Sequence, residues 1–284
     1  MITSTLALYL RMIKFSHSVF ALPFAFTGAL LAAGGIPPWQ QILWIVVAMA
    51  GARSGAMGAN RLVDRHIDAA NPRTAMREIP AGKIQARDAA IFTVLSFGLM
   101  VFAAAQLNTL CLLLSPLAVG ILILYSFTKR FTWLAHFVLG IAISCAPLGA
   151  WLAVTGAFSW SIVPVCLAVV FWLAGFDVLY ALQDIDFDRR SGLYSIPQRF
   201  GITKSIYLSR LCHSITFALL VYSGIHFEMN DAYWVGMLVT AILLIYEHSL
   251  VKPDDLSKLN VAFFNMNGYI SVTIFVFTFL DILI

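Results

Sequence analysis

Residues 162–190 read I-V-P-V-C-L-A-V-V-F-W-L-A-G-F-D-V-L-Y-A-L-Q-D-I-D-F-D-R-R, an apolar run of bilayer-spanning length that ends in acidic residues. On one continuous helix, Asp177, Asp184 and Asp188 would fall at i, i+7 and i+11 and share a face, and Tyr180 would lie beside them. Ionisable side chains at membrane depth are costly and are usually retained for a function. The stretch therefore predicts a transmembrane helix that carries part of a functional site.

An earlier stretch repeats this pattern. Residues 60–68 read N-R-L-V-D-R-H-I-D, so the oxygen-bearing side chains of Asn60, Asp64 and Asp68 are spaced four residues apart. A single aspartate at the end of a span is usually there only because it is solvated. Two series of regularly spaced oxygen-bearing side chains, which we call ladders, are harder to explain by solvation alone. Mg²⁺ prefers oxygen ligands and is typically held by one or two carboxylates together with substrate phosphates. We interpret the two acidic faces as the two halves of one Mg²⁺–diphosphate clamp.

The composition of the chain is typical of a protein that crosses the bilayer several times. Of its 284 residues, 61% are hydrophobic and 11% are charged, whereas soluble domains are about half apolar and about a quarter charged. We expect an all-α polytopic membrane protein that forms one domain, residues 1–284. No two cysteines form a C-x-x-C pair, which predicts small buried side chains rather than a zinc site or disulfides. The four are Cys111, Cys145, Cys166 and Cys212.

Polar residues, glycines and prolines divide the chain into nine candidate transmembrane helices. The nine spans cover residues 18–34, 41–59, 89–107, 110–128, 134–154, 162–182, 205–225, 232–250 and 259–283. The first acidic motif follows span two and the second ends span six. Each motif is followed by a loop of about twenty residues. Spans 1–4 and 5–8 therefore each contain one motif, which indicates a possible internal duplication of a four-helix unit.

The basic residues predict the orientation of the spans. With the N-terminus in the cytoplasm, seventeen of the 18 lysines and arginines fall on the cytoplasmic side, and only Arg53 lies within a span. Both acidic motifs then face the cytoplasm. The net charge of +4 follows from this asymmetry and does not indicate a nucleic-acid surface. We expect an integral protein of a bacterial inner membrane, with its active site facing the cytoplasm.

Basic residues next to the acidic motifs are candidate ligands for a metal-bound diphosphate. One guanidinium group can donate two parallel hydrogen bonds to phosphate oxygens. We assign four residues to the diphosphate: Arg73, Arg77, Lys129 and Arg189. Three others are interpreted as topological charges only: Lys83, Arg87 and Arg199. Arg53, Arg130 and Asp177 are assigned to a second, aromatic substrate. Lys129 and Arg130 are equally consistent with a pair that anchors the helix at the interface.

Two further expectations concern Arg53 and the histidines. A buried arginine needs a counter-ion, and we expect Asp64 or Asp184 to supply it. His17 and His66 lie near the span ends where the site is expected. The remaining four histidines have no ligand-like spacing and are interpreted as structural: His136, His213, His226 and His248.

The two acidic motifs resemble those of a known family. N-R-L-V-D-R-H-I-D-A-A-N-P-R-T at residues 60–74 is similar to the first aspartate-rich motif of the UbiA superfamily of intramembrane prenyltransferases. F-D-V-L-Y-A-L-Q-D-I-D-F-D-R-R at 176–190 is similar to the second, and Y-S-F-T-K-R at 125–130 to a third shared block. The resemblance implies a nine-helix bundle around a central cavity that opens to lipid. It also implies that Mg²⁺ and a polyprenyl diphosphate are held by Asp64, Asp68, Asp184 and Asp188, with Asn60 assisting.

The sequence departs from the family pattern at one position. Many members carry a second acid directly after the first asparagine, as N-D-x-x-D, but Arg61 stands there in this chain. Its opening I-K-F-S-H-S-V-F-A-L-P-F, at residues 13–24, is closer to a UbiA-like subgroup. Some members of that subgroup act on a naphthoate in the futalosine route to menaquinone.

We therefore expect Mg²⁺-dependent transfer of a polyprenyl group from its diphosphate to a ring carbon of a 4-hydroxybenzoate-like aromatic acid, in respiratory quinone synthesis. Asp184 or Asp188, with Tyr180 nearby, would orient the ring or accept its proton. The expected partners are the two substrates and the lipid bilayer, with neither nucleic acid nor an obligate protein partner.

Two alternatives remain open at this point. The first is the same chemistry on 1,4-dihydroxy-6-naphthoate. The second is an ion-coupled transporter in which the aspartate ladders and Arg53 line an ion pathway. The clustering of the acids at one membrane face argues against transport, because a pathway would need polar residues on both sides.

Overall fold

The computed structural model describes residues 2–14 and 21–284. In these ranges the chain is helical, with no β-structure beyond a single bridging pair, Lys252 and Asp255. The helices are α1 (Ile2–Met12), α2 (Leu22–Ala33), α3 (Trp39–Val63), α4 (Arg65–Ala70), α5 (Ala86–Leu107), α6 (Thr109–Thr128), α7 (Ala135–Thr155), α8 (Val163–Ala181), α9 (Ile185–Ser191), α10 (Ile196–His226), α11 (Asp231–Ser249), α12 (Leu259–Val261) and α13 (Asn267–Leu283).

The predicted all-α membrane architecture is confirmed. Seven helical segments in the described part of the chain are long and apolar enough to cross a bilayer, and α2 and α13 are shorter apolar helices. Together they correspond to the nine predicted spans. The start of the first span at Ser18, and the neighbouring His17, lie outside the described residues.

Two predicted span boundaries differ from the structure, and one span is interrupted. α3 continues to Val63, so Asn60 and Arg61 lie within the helix rather than after it. α10 begins at Ile196, nine residues before the predicted start, because Ser195 caps its first turn; a kink at Gly201, with φ +79°, separates this early part from the rest. The ninth span is interrupted by a π-helical turn at Ala262–Met266.

The chain forms two compact units. The N-terminal unit comprises α1 and Gln40–Phe127, and the C-terminal unit comprises α2 and Thr128–Ile284. Helix α2 is thus separated from its neighbours in sequence, α1 and α3, and belongs with α7 to α13.

In the N-terminal unit, α3 and α5 approach each other closely through glycine. A methyl group on Gly51 would lie 2.7 Å from the backbone nitrogen of Met100 and from the carbonyl oxygen of Ser96. Phe97 and Thr93 similarly cover Gly55 and Gly58, one and two turns further along α3. Small residues spaced in this way allow membrane helices to pack backbone against backbone. The packing places the last turns of α3, just before Asn60 of the first acidic motif, against α5.

In the C-terminal unit, α8 is the central helix. It packs against both α7 and α10, and most of its side chains are buried, which explains why its sequence is apolar on every face. Trp172 and Phe176 of α8 pack with Phe24 of α2 in the core of the C-terminal unit. The second acidic motif therefore begins on the most enclosed helix of this unit. Cys212 is buried as predicted, but Cys111, Cys145 and Cys166 are only half-buried, and all four are free thiols.

Candidate active site

The first acidic motif lies at a break between two helices. Helix α3 ends at Val63 and α4 begins at Arg65, and Asp64 between them has φ −90° and ψ 0°. The predicted ladder on one continuous helix is therefore wrong for this motif, because the helix is interrupted at its middle member. Aspartate favours such breaks, since its carboxylate competes for backbone hydrogen bonds and is stabilised at a helix start. This backbone region is sparsely populated and recurs at active sites.

Two members of this motif are in direct contact. Asn60 Nδ2 donates to Asp64 Oδ2 at 3.1 Å, and Asp64 is only 2% exposed. The amide thereby orients the carboxylate. A carboxylate held in this way inside a membrane protein matches what an oxygen-ligated cation requires.

The third member, Asp68, is held by Arg77. Arg77 Nη1 donates to Asp68 Oδ1 at 2.7 Å and to Oδ2 at 2.8 Å, and the Thr74 hydroxyl donates to the Asp68 carbonyl oxygen at 3.1 Å. The structure thus places one predicted diphosphate ligand, Arg77, against one predicted metal ligand. Arg73 is exposed four residues earlier, in a turn closed by its own N–H donating to Asn71 Oδ1.

The second motif is also interrupted. Helix α8 ends at Ala181, a 3₁₀ turn covers Leu182–Asp184, and α9 begins at Ile185. Asp184 has φ −105° and ψ 7°, nearly the same backbone conformation as Asp64. A 3₁₀ turn has three residues per turn instead of 3.6, so it changes the rotation between Asp177 and the two later aspartates by about 60° relative to a continuous α-helix. The expected single helix through Asp177, Asp184 and Asp188 is therefore interrupted, and their common face stays a prediction.

Asp188 and Asp177 are each held by a polar partner. Ser195 Oγ donates to Asp188 Oδ2 at 2.7 Å, and the same hydroxyl accepts from the N–H of Gln198 as the cap of α10. Asp177 Oδ2 lies 2.6 Å from Nδ1 of His136, a residue that the sequence assigned to structure alone. No sequence signal links them, because they are 41 positions apart.

The remaining assigned residues of the C-terminal unit range from half-buried to exposed. Tyr180 is half-buried and packs against the core of the unit. Lys129 and Arg130 are half-buried, and the Lys129 carbonyl oxygen accepts from the N–H of Tyr194. Arg189 is exposed at the end of α9.

In the N-terminal unit the structure reveals two cations that the sequence did not assign. Arg61 is 4% exposed, and its Nε donates to the Met12 carbonyl oxygen at 3.2 Å, which fastens the end of α1 to α3. Lys14, two residues after Met12, has φ +49°, a strained conformation for a residue with a side chain. Burial, together with the charges of Arg61 and Arg77, lowers the pKa of Lys14 to about 8. An ammonium group close to several guanidinium groups is suited to an anionic ligand.

Arg53 does not have the counter-ion that we expected from within its own unit. In the described part of that unit it forms no ion pair with Asp64; its charge interacts with the phenol of Tyr125, and its buried Nε lacks a hydrogen-bond partner. Both residues lie inside spans, Arg53 on α3 and Tyr125 on α6. A buried guanidinium with an unsatisfied donor is suited to an anionic ligand.

His66, which the sequence places near the end of a span where the site is expected, is exposed.

The donor set fits magnesium that is shared with a substrate. Among the described residues, no three histidine, cysteine, aspartate or glutamate side chains are grouped closely enough to hold a metal ion. Each unit instead offers aspartates four residues apart, Asp64 and Asp68 in one and Asp184 and Asp188 in the other. A cation that takes one or two carboxylates and completes its shell with phosphate and water requires such a donor set.

A family model and two curated relatives match most of the chain. The model of the UbiA prenyltransferase family matches residues 21–269. A 4-hydroxybenzoate octaprenyltransferase from Vibrio campbellii (strain ATCC BAA-1116) is 31% identical over 245 residues, which cover 86% of this chain and 85% of the relative. The protein of the same name from Aliivibrio fischeri (strain MJ11) is 31% identical over 250 residues, covering 87% and 85%.

Solved structures agree with these matches. The apo structure of a UbiA homolog from Aeropyrum pernix K1 superposes with a TM-score of 0.86 at 32% identity, over 93% of this chain and 98% of that one. A UbiA homolog from Archaeoglobus fulgidus bound to GPP and Mg²⁺ has a TM-score of 0.73 at 22% identity, over 98% and 100%. The second likeness is one of fold alone.

Proposed function

Because the chain belongs to the UbiA prenyltransferase family, we propose that it transfers a polyprenyl group from polyprenyl diphosphate to a ring carbon of a 4-hydroxybenzoate-like acid, in respiratory quinone synthesis. The observation that carries the proposal is the repeated acidic break, with Asp64 and Asp184 in matching backbone conformations. The names of the relatives, which are 4-hydroxybenzoate octaprenyltransferases, support this acceptor over the naphthoate. The chain is an integral membrane prenyltransferase, and we place it in a bacterial inner membrane.

The aspartates would hold the cofactor. Five residues would bind Mg²⁺ together with the diphosphate: Asn60, Asp64, Asp68, Asp184 and Asp188. When bound, Mg²⁺ supplies Lewis-acid stabilisation of the charge that develops on the departing diphosphate. Structures of relatives in complex with Mg²⁺ and a prenyl diphosphate support this use of the metal. Asn60 orients Asp64 for the task, and Ser195 orients Asp188.

The cations would stabilise the leaving group. Breaking the allylic carbon–oxygen bond leaves its electron pair on the diphosphate, which gains negative charge in the transition state. We assign Arg73, Arg77, Lys129 and Arg189 to this group and add Lys14, because it lies among Arg61, Arg73 and Arg77. Arg77 has a second role, since its bond to Asp68 keeps that carboxylate in place.

Charged side chains of the protein would bind the aromatic acceptor. Arg53, with its unsatisfied buried donor, and Arg130 would bind the acceptor carboxylate, and Asp177 would orient the ring. The ring carbon ortho to the hydroxyl attacks the allylic carbon, a carbon–carbon bond forms, and the ring proton passes to a carboxylate, Asp184 or Asp188. The apolar spans would exclude water from the allylic cation.

The test is a membrane assay with a labelled polyprenyl diphosphate and Mg²⁺. 4-Hydroxybenzoate and 1,4-dihydroxy-6-naphthoate are offered in parallel, and the lipid-soluble aromatic product and diphosphate are both measured. We expect product from the benzoate. Product from the naphthoate alone would reassign the acceptor. Absence of diphosphate release with either acceptor would overturn the proposal and favour a transporter.

A further inference from the structure

His136 makes two hydrogen bonds that together fix its tautomer. The N–H of Ile196 donates to His136 Nε2 at 3.3 Å, so Nε2 is the acceptor nitrogen and carries no proton. The proton of the neutral ring is therefore on Nδ1, from which it is donated to Asp177 Oδ2 at 2.6 Å. His136 is 4% exposed, so water does not compete for either bond.

Residues 193–196, which lead into α10, connect His136 to Asp188 of the second motif by hydrogen bonds. Ser195, next to Ile196, donates to Asp188 Oδ2, and the N–H of Leu193 donates to the Asp188 carbonyl oxygen. The N–H of Tyr194 donates to the carbonyl oxygen of Lys129. Four consecutive residues, 193–196, thus bind a predicted diphosphate ligand, a predicted metal ligand and His136. The imidazole of His136 extends this hydrogen-bond network to Asp177.

We infer that His136 is a positioning residue for the aromatic acceptor: it holds the Asp177 carboxylate in one orientation and couples it to the start of α10. The inference rests on the proposed function, in which Asp177 orients the acceptor. His136 contacts Oδ2, and the Asp177 side chain is 24% exposed, so Oδ1 would remain available to the substrate. The N–H donor also gives the carboxylate a hydrogen-bond partner on an otherwise apolar helix. A histidine that only filled space would need neither bond.

The experiment measures KM for 4-hydroxybenzoate and for polyprenyl diphosphate separately, and kcat, in membranes containing each variant. His136→Leu removes both bonds, whereas His136→Gln keeps one donor and one acceptor. The matched control is His213→Gln, which changes a buried histidine of the same unit that is bonded to the Trp172 carbonyl.

We expect His136→Leu to lower kcat/KM for the acceptor by about 10- to 100-fold, the usual effect of removing a residue that orients a functional carboxylate. KM for the prenyl diphosphate should change less than about twofold, and His136→Gln should recover most of the acceptor kinetics. Adding Asp177→Asn to His136→Leu should cost little more, because the two residues act as a pair. His213→Gln should leave both KM values near those of the wild type.

Equal losses for both substrates in His136→Leu, no loss at all, or a His136→Gln variant as poor as His136→Leu would overturn the inference. If His136→Leu does not reach the membrane, His136→Gln compared with Asp177→Asn decides: the first must retain acceptor KM and the second must not. Failure of the wild type with both acceptors would refute the proposed function itself, which distinguishes that outcome from a failure of His136.

Discussion

At the scale of single residues, the two aspartates at the helix breaks should matter most. We expect Asp64→Asn and Asp184→Asn each to lower turnover by at least about 100-fold, because each removes a charged oxygen ligand while keeping the size of the side chain. The measurement is prenyl transfer in membranes at equal protein level. The matched control is Asp186→Asn, which changes an exposed aspartate on α9. Near-normal activity of both variants would exclude the shared-metal arrangement.

The pKa of Lys14 leads to a second prediction. Its lowered pKa of about 8, compared with an ordinary 10.5, means that the folded protein binds fewer protons than the unfolded chain between these two values. The destabilising charge is therefore fully present below pH 8, and stability rises with pH between about 8 and 10.5. A bound diphosphate would offset the charge, so its affinity should fall by about tenfold from pH 7 to pH 9.5.

The pH effect is measured by titrating prenyl diphosphate into the purified protein at several pH values. Lys14→Met should bind more weakly at pH 7 and lose most of the dependence. An equal slope in the variant and the wild type would mean that another group takes up the proton. Arg65→Met is a suitable control, because Arg65 is exposed and donates to the Leu62 carbonyl oxygen.

The aspartates of the two motifs could be predicted from the sequence, whereas the roles of Lys14 and His136 could not. The aspartates were identified because charged residues at regular spacing are conspicuous beside an apolar run. Lys14 and His136 were not assigned, because their environment comes from residues distant in sequence. Arg61 contacts Met12 across 49 positions, and His136 contacts Ile196 across 60. Spacing within one helix contains no information about such contacts.

At the scale of helices, the close approach of α3 and α5 should tolerate no side chain. Gly51→Ala would place a methyl group 2.7 Å from backbone atoms of α5, which cannot move aside as a flexible side chain can. We expect a loss of about 1–3 kcal/mol in the free energy of unfolding, as for other overpacked sites. The readout is thermal stability in detergent.

Gly98→Ala is the control for Gly51→Ala, because Gly98 also lies on α5 and a methyl group there meets nothing within 4 Å. It should be neutral or stabilising by up to about 1 kcal/mol, since alanine favours a helix. Equal stability of the two variants would contradict the close packing of α3 against α5.

Helix-scale features were predicted in kind but not in detail. Hydropathy located nine apolar segments correctly, because a bilayer requires a long apolar run regardless of its partners. It could not predict the breaks at Asp64 and Asp184, since the flanking residues are acceptable in a continuous helix. The spacing of the aspartates was read correctly from the sequence, and Asn60 contacts Asp64 at i, i+4, but neither motif lies on one uninterrupted helix. Backbone geometry at one residue made the difference.

At the scale of the whole molecule, the orientation in the membrane remains a prediction from charge. We expect the loop after the first motif to face the cytoplasm and the loop between α7 and α8 to face the opposite side. Met76 and Trp160 are suitable probes, with 73% and 78% exposure. The four native cysteines are free and can be replaced first. A membrane-impermeant maleimide should label Trp160→Cys in intact spheroplasts, and Met76→Cys only after permeabilisation. The reverse pattern would invert the topology and the side of the active site.

The grouping of α2 with the C-terminal unit has a consequence for biosynthesis. Its glycine, Gly28, lies against Pro147 of α7, and α2 also packs against α13. At about 5–20 residues per second, the ribosome needs on the order of ten seconds to reach α7 after completing α2, and longer to reach α13. During that interval α7 and α13, the two helices against which α2 packs in the C-terminal unit, are absent from the bilayer. The apolar helix α2 therefore has to remain in the membrane while α3 to α6 are made, and the C-terminal unit can be completed only after the last helix has left the ribosome.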